Sequence, residues 1–180
     1  MTGKIISPFK VNDTVTRRSI SVGNIFMYQN GNGTRYASLG EYNGFHYGFK
    51  LSSVVNESGS FHTPVKATVT PMTSQTMEKA CQIVGFFTLD LKFNSIPEIR
   101  TFTKAMPPSF ASLVSAPNFI TREGKAHMFV NLGPSVHGNG GIDLFSVTDG
   151  ESFNHLPYDS LVAERGMAHI VTHEQKEKNA

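Results

Sequence analysis

The stretch SISVGNIFMYQNGNGTRYASLGEYNGFHYGFKL, Ser19–Leu51, decides how this chain is read. Ser19 to Gln29 is rich in β-branched and aromatic residues, the composition that suits a pleated, half-buried surface. It runs into Asn30-Gly31-Asn32-Gly33, whose Asn and Gly residues supply the positive φ angles of a tight primed turn. Thr34 to Tyr42 returns, Asn43-Gly44 repeats the turn signal, and Phe45 to Leu51 comes back once more. The pattern predicts a three-stranded antiparallel meander. In its last strand Phe45, Tyr47, Phe49 and Leu51 fall on one face, and His46, Gly48 and Lys50 on the other, by the two-residue strand period.

Working outward, Pro64 to Thr70 alternates Val65, Ala67 and Val69 with polar residues and reads as a fourth strand, so the meander spans 19–70. Pro71 ends it. Thr73 or Ser74 can cap a helix over 74–84, with Met77, Ala80, Cys81 and Val84 at i, i+3, i+4 and i+7 and Gly85 as its stop. A second half, 86–173, follows. Phe87, Leu89, Leu91 and Phe93 alternate as a strand; Ser95 and Glu98 form a capping box with Pro97 in the first turn of a second helix carrying Ile99, Phe102 and Met106. Asn118–Arg122 and Ala126–Asn131 suggest a hairpin, Ile142–Val147 a strand, Pro157–Arg165 a short helix and Met167–Thr172 a last strand. Residues 174–180 are polar and read as a disordered tail. The expected fold is α+β: an antiparallel meander of three to four strands plus a helix, with a second mixed strand and helix half packed on it, in a single domain over 1–173. A meander followed by a helix resembles Whirly and PUR-type single-strand-binding modules in element order alone.

The chain has 180 residues, 39% of them hydrophobic and 17% charged, too apolar and too weakly charged for a disordered polymer. Cys81 stands alone, which excludes an intramolecular disulfide and suits a reducing compartment. Met1 to Lys10 lacks a signal-peptide apolar core, and no run of 18 apolar residues exists to form a spanning helix, so a cytoplasmic, non-membrane protein is expected. The three N-x-S/T matches at Asn12, Asn32 and Asn56 then carry no glycan. Net charge is +2 but unevenly spread. Residues 1–70 hold seven Lys/Arg against three Asp/Glu, whereas residues 131–180 hold three against seven.

The basic excess coincides with the aromatic meander. Phe26, Tyr28, Tyr36, Tyr42, Phe45, Tyr47, Phe49 and Phe61 crowd together with Arg35, His46 and Lys50, behind Arg17-Arg18. Aromatic rings on a basic sheet are a common way to hold single-stranded nucleic acid, because every base has a face to stack and cations neutralise phosphate. The same rings would equally well form a sheet core in a chain without tryptophan. Elsewhere the signals are weaker. The loop Gly133–Gly141 is Gly-rich but has neither the Walker spacing nor a G-x-G-x-x-G that opens a helix. Five of the seven histidines (His127, His137, His155, His169 and His173) lie near Asp143, Asp149 and Asp159 in sequence, a set from which a general base or metal site could be drawn. His169 and His173 fall on a β-branched run, where positions i and i+4 stand about 13 Å apart, too far to share a zinc ion. Cys81 reads as a packed thiol.

The leading expectation is a small non-enzymatic protein binding single-stranded nucleic acid. Tyr28, Tyr36, Tyr42 and Tyr47 would stack, and Arg17, Arg18, Arg35 and Lys50 would meet the backbone; no cofactor or metal is expected. The alternatives are a homo-oligomeric structural or interaction protein, such as a viral accessory or assembly factor, and a phosphoester- or nucleotide-directed enzyme using His137, His155 and Asp143.

Overall fold

The computed structural model describes residues 9–51, 61–62, 66–105, 112–115, 127–137, 140–147 and 153–173. The chain divides into two compact units, Lys4–Leu89 with Ile170–Ala180 and Met1–Gly3 with Asp90–His169.

The first unit is built on the meander. Strand β1 is Thr14–Thr16, followed by a 3-10 turn at Arg17–Ser19, then β2 (Asn24–Tyr28), β3 (Tyr36–Tyr42), β4 (Phe45–Lys50), β5 (Phe61–His62) and β6 (Lys66–Pro71). A single helical turn, α1 (Ser74–Met77), precedes the long strand β7 (Ala80–Thr101). Within this unit the strand order is β7-β2-β3-β4-β6, every pair antiparallel. Asn43 and Gly44 both have positive φ, 49° and 81°, as the primed turn between β3 and β4 demands. The Asn30–Gly33 segment is a longer loop instead, in which Gly33 alone has φ above zero.

Two bulges break the regular alternation. One lies in the β2–β7 pairing between Ile25 and Phe26, the other in β3 between Ser38 and Gly40. Directly opposed residues of an antiparallel pair share a face, so the register assigns faces without ambiguity. Lys50, Tyr36, Phe26 and Ile83 form one row across the sheet. This face is covered over part of its area: Ile20, Phe26, Cys81 and Ile83 are its buried cluster, with Phe9, Val15, Tyr28, Tyr36 and Phe86 packed around it. The opposite face carries Tyr47, Phe49 and Ala37, all buried.

The second unit adds β8 (Ser112–Ser115), β9 (Phe129–Pro134), β10 (Ile142–Ser146), β11 (Phe153–Leu156) and β12 (Leu161–His173). Its order is β11-β10-β9-β8-β12, again antiparallel throughout. Phe102, Val114, Phe129, Ile142, Leu144, Leu156 and Val162 make its core.

The α+β expectation is therefore corrected: the protein is nearly all antiparallel sheet. Of the helix expected over 74–84 only Ser74–Met77 is helical, capped by the Thr73 hydroxyl, which accepts the Thr76 N–H at 3.3 Å. Cys81 and Val84, which fit a helical stripe, belong to a longer alternation in which Cys81, Ile83, Gly85, Phe87 and Leu89 are buried in turn. Gly85 is not a helix stop. It sits where a Cβ would come within 3.2 Å of the His173 carbonyl oxygen, a close backbone approach inside a sheet. The expected second helix is the continuation of β7, because Phe102 exchanges backbone hydrogen bonds with Asp159 and Ser160 and ties this stretch beside β12. At 157–165 only a turn forms, closed by Ser160 Oγ donating to the Pro157 carbonyl at 2.7 Å, before β12 begins at Leu161. The likeness to helix-bearing single-strand-binding modules goes with the helix. Asn118–Arg122 of the expected hairpin and the 174–180 tail lie outside the described residues. Among the described residues no helix is long and apolar enough to cross a membrane.

Candidate nucleic-acid interface

The bulge in β3 decides which tyrosines can act together. Tyr36 and Tyr42 are six positions apart and would share a face on a regular strand. The extra residue reverses the alternation, so that Tyr36 opposes Lys50 while Tyr42 opposes Phe45, on the other side of the sheet. Tyr42 packs against Tyr47 there, ring centroids 6.0 Å apart, and Tyr47 is 1% exposed. Four expected stacking residues thus fall into two pairs on opposite faces. Tyr28 and Tyr36 remain together.

Around them is an aromatic cluster with one open side. Tyr36 stacks on Phe26 at 5.6 Å with an interplanar angle of 27°, and Tyr28 meets both rings edge-on, at 5.6 and 5.8 Å. Tyr28 and Tyr36, with Asn30, Gly31, Asn32 and Thr34, line an open groove of about 530 Å³. Its loop wall is held by local bonds. Gly31 donates to the Tyr28 carbonyl at 3.1 Å, and Asn32 Oδ1 accepts both the Thr34 N–H at 3.1 Å and its hydroxyl at 2.6 Å. Gln29 anchors the loop start by donating from its backbone to Ala80 and from its side chain to Thr14.

Behind the rings lies a buried cation. Arg17 is 3% exposed, its guanidinium carbon sits 4.4 Å from the Phe26 centroid, and Nε donates to the Tyr28 hydroxyl at 3.3 Å. Its Nη1 is buried without a hydrogen-bond partner among the described residues. Burial pulls its pKa below the ordinary arginine value, against an opposing pull from Tyr28. The same charge acts on His46, buried on the face that carries Lys50. Burial first, and Arg17 second, lower that imidazole to about 4, so it is neutral at physiological pH. Burial, with Tyr28 adding to it, raises the Tyr36 hydroxyl above its usual value and keeps it uncharged.

The remaining cations lie at the surface. Lys79 Nζ stands 5.2 Å from the Tyr28 ring centroid, a cation–π contact that composition does not single out. Its signal resides only in the β2–β7 register, which sets Tyr28 opposite Cys81. Arg18 is exposed and paired with Glu78. Arg35 and Lys50 are exposed, Lys50 directly across the ladder from Tyr36.

Other expected features are dispersed. Three N–H groups of the Gly133–Gly141 loop bond within it or to its flank: Gly133 to Asn131 Oδ1 at 3.0 Å, Ser135 to the Gly141 carbonyl at 2.9 Å and His137 to Ser135 Oγ at 3.2 Å. Those donors are not presented to a phosphate. Asp143 and His155 are cross-strand partners whose Oδ1 and Nδ1 lie 3.5 Å apart. His127 packs edge-on against Phe129, and His173 Nε2 lies 3.0 Å from the Thr88 hydroxyl. No group of three His, Cys, Asp or Glu residues able to hold a metal occurs among the described residues. Cys81 is fully buried, and burial raises its thiol to about 11, which leaves it protonated and unreactive. No protein-family model, curated protein or solved structure matches the chain.

Proposed function

We propose that the chain binds single-stranded nucleic acid at the Tyr28–Tyr36 groove. The observation that carries this reading is the pairing of two half-buried tyrosines on an open groove with the buried charge of Arg17 behind them. Tyr36 has one ring face taken by Phe26, and its groove side offers a surface for a base. Lys79 and Lys50 rim the site as phosphate partners, and Arg17 adds a positive field from below. Tyr42 and Tyr47 take no part in this version of the site, since they lie on the other face. Asn30 and Asn32 carry amide groups suited to base edges.

The test is a titration of a fluorescent oligothymidine at several salt concentrations. Affinity should fall steeply as salt rises, and Lys79→Ala should lower the salt slope by about 1. Tyr36→Leu, which keeps apolar packing on Phe26 but removes the aromatic surface, should weaken binding by roughly 5- to 100-fold. Absence of binding at low salt removes the proposal.

A further inference from the structure

The C-terminal stretch of β7 carries an unusual combination of exposure and charge order. Phe93, Ile96 and Ile99 are 58%, 79% and 65% exposed, the largest such cluster along one strand among the described residues. Of the strands paired with β7, β1 is registered at Ala80–Gln82 and β2 at Cys81–Phe86. Among the described residues the stretch 90–100 therefore has β12 alone beside it, and its other edge faces no registered strand. An exposed, apolar strand edge is a template for pairing with another chain.

The occupant is specified by the charges. Read about Ser95 as a centre, Asp90 mirrors Arg100 and Lys92 mirrors Glu98. We propose that this edge pairs antiparallel with the same edge of a second copy of the chain, about a two-fold axis through Ser95. In that register each Asp90 opposes an Arg100 and each Lys92 opposes a Glu98, giving opposite charges at all four positions. On the alternate face Leu91 opposes Ile99 and Phe93 opposes Pro97, so apolar residues meet apolar residues there, while Ile96 opposes Asn94 between the ion pairs of the charged face. Cross-strand pairs of both kinds stabilise an antiparallel ladder.

Competing registers are penalised by the same residues. A slip of two positions one way sets Lys92 against Arg100, and the other way Asp90 against Glu98, in both cases like charges facing each other twice. A slip of one position turns the apolar face of one copy to the charged face of the other. Two ion pairs of this stretch are compatible with the assembly. Asp90 and Lys92 already lie 3.0 Å apart, and the mirrored Glu98 and Arg100 would extend them into a four-membered network. Arg100 bonds Glu164 through Nη2 at 3.0 Å, and the forked donors of a guanidinium allow it to serve two carboxylates at once. Pro97 cannot donate to the ladder, which costs at most one hydrogen bond at each of the two symmetric positions, and an edge is where a strand proline is tolerated.

Sedimentation of the full chain over a wide concentration range tests this. The wild type should form a dimer. Lys92→Glu alone sets a carboxylate against Glu98, and Glu98→Lys alone sets an ammonium against Lys92. Each should weaken the dimer by about tenfold or more, because two attractive pairs become repulsive. Mixing the two variants should restore dimers, since every mixed pair is then complementary; this recovery also shows that both variants are folded. A wild type that stays monomeric throughout, or single variants that dimerise as tightly as wild type with no preference for the mixture, would overturn the proposal.

Discussion

The two halves of β7 both carry apolar side chains at odd positions and have opposite fates. From Cys81 to Leu89 every second residue is buried, whereas from Lys92 to Ile99 all residues but Pro97 are exposed. Both halves place apolar side chains at odd positions: Cys81, Ile83, Phe87 and Leu89 in the first, Leu91, Phe93 and Ile99 in the second. The difference lies in their neighbours. The first half has β1 or β2 registered against it and side chains such as Ile20 packed on its face, while the second has β12 along one edge. An alternating pattern states which face is able to be buried; the surrounding chain determines whether it is.

Three measurements test which side chains of this sheet are core and which are surface. The largest effect is expected at Phe87, 1% exposed: Phe87→Ala should cost about 3–5 kcal/mol in urea unfolding. A cost near that of an exposed site would show that the first half is not core. The next largest concerns His46. Its pKa is about 4 in the folded chain against an ordinary value of 6.5, so the unfolded chain takes up the proton more readily. Stability is then complete above pH 6.5 and declines as pH falls through 6.5 towards 4, by on the order of 2–3 kcal/mol. His46→Gln should flatten that part of the pH profile relative to wild type, leaving the carboxylate contribution at lower pH. The smallest effect is expected at Ile96, 79% exposed, where Ile96→Thr should change unfolding by no more than about 0.5 kcal/mol at concentrations low enough to keep the chain monomeric. A loss like that at Phe87 would mean this side chain is covered.

The meander is legible in the sequence because its signals are local. Asn43-Gly44 supplies a turn whose two positive φ angles only a few residue types adopt readily, and β3, β4 and β6 follow in the order in which the sequence reads. The helical reading of 74–84 fails because Cys81 and Val84 satisfy a 3.6-residue spacing within a window too short to show the two-residue alternation that continues to Leu89. Gly85 reinforces the error, since a helix stop and a close approach of strand backbones both call for glycine. Of the site, the Tyr28 and Tyr36 side is visible in composition. The segregation of Tyr42 and Tyr47 is not, because a bulge leaves no periodic mark in one sequence, and the cation–π partner Lys79 depends on strand register.

The bulge at Leu39 acts as a reading-frame change written in side-chain direction. Its neighbour Gly40, at φ 100°, holds a backbone conformation that few other residues would adopt without strain. Excising one residue there would return Tyr42 to the side of Tyr36 and lengthen the aromatic row on that face, while moving a ring out of the packing around Tyr47. Insertion or loss of a single codon at this position therefore redistributes aromatic surface between interior and exterior without altering any aromatic residue.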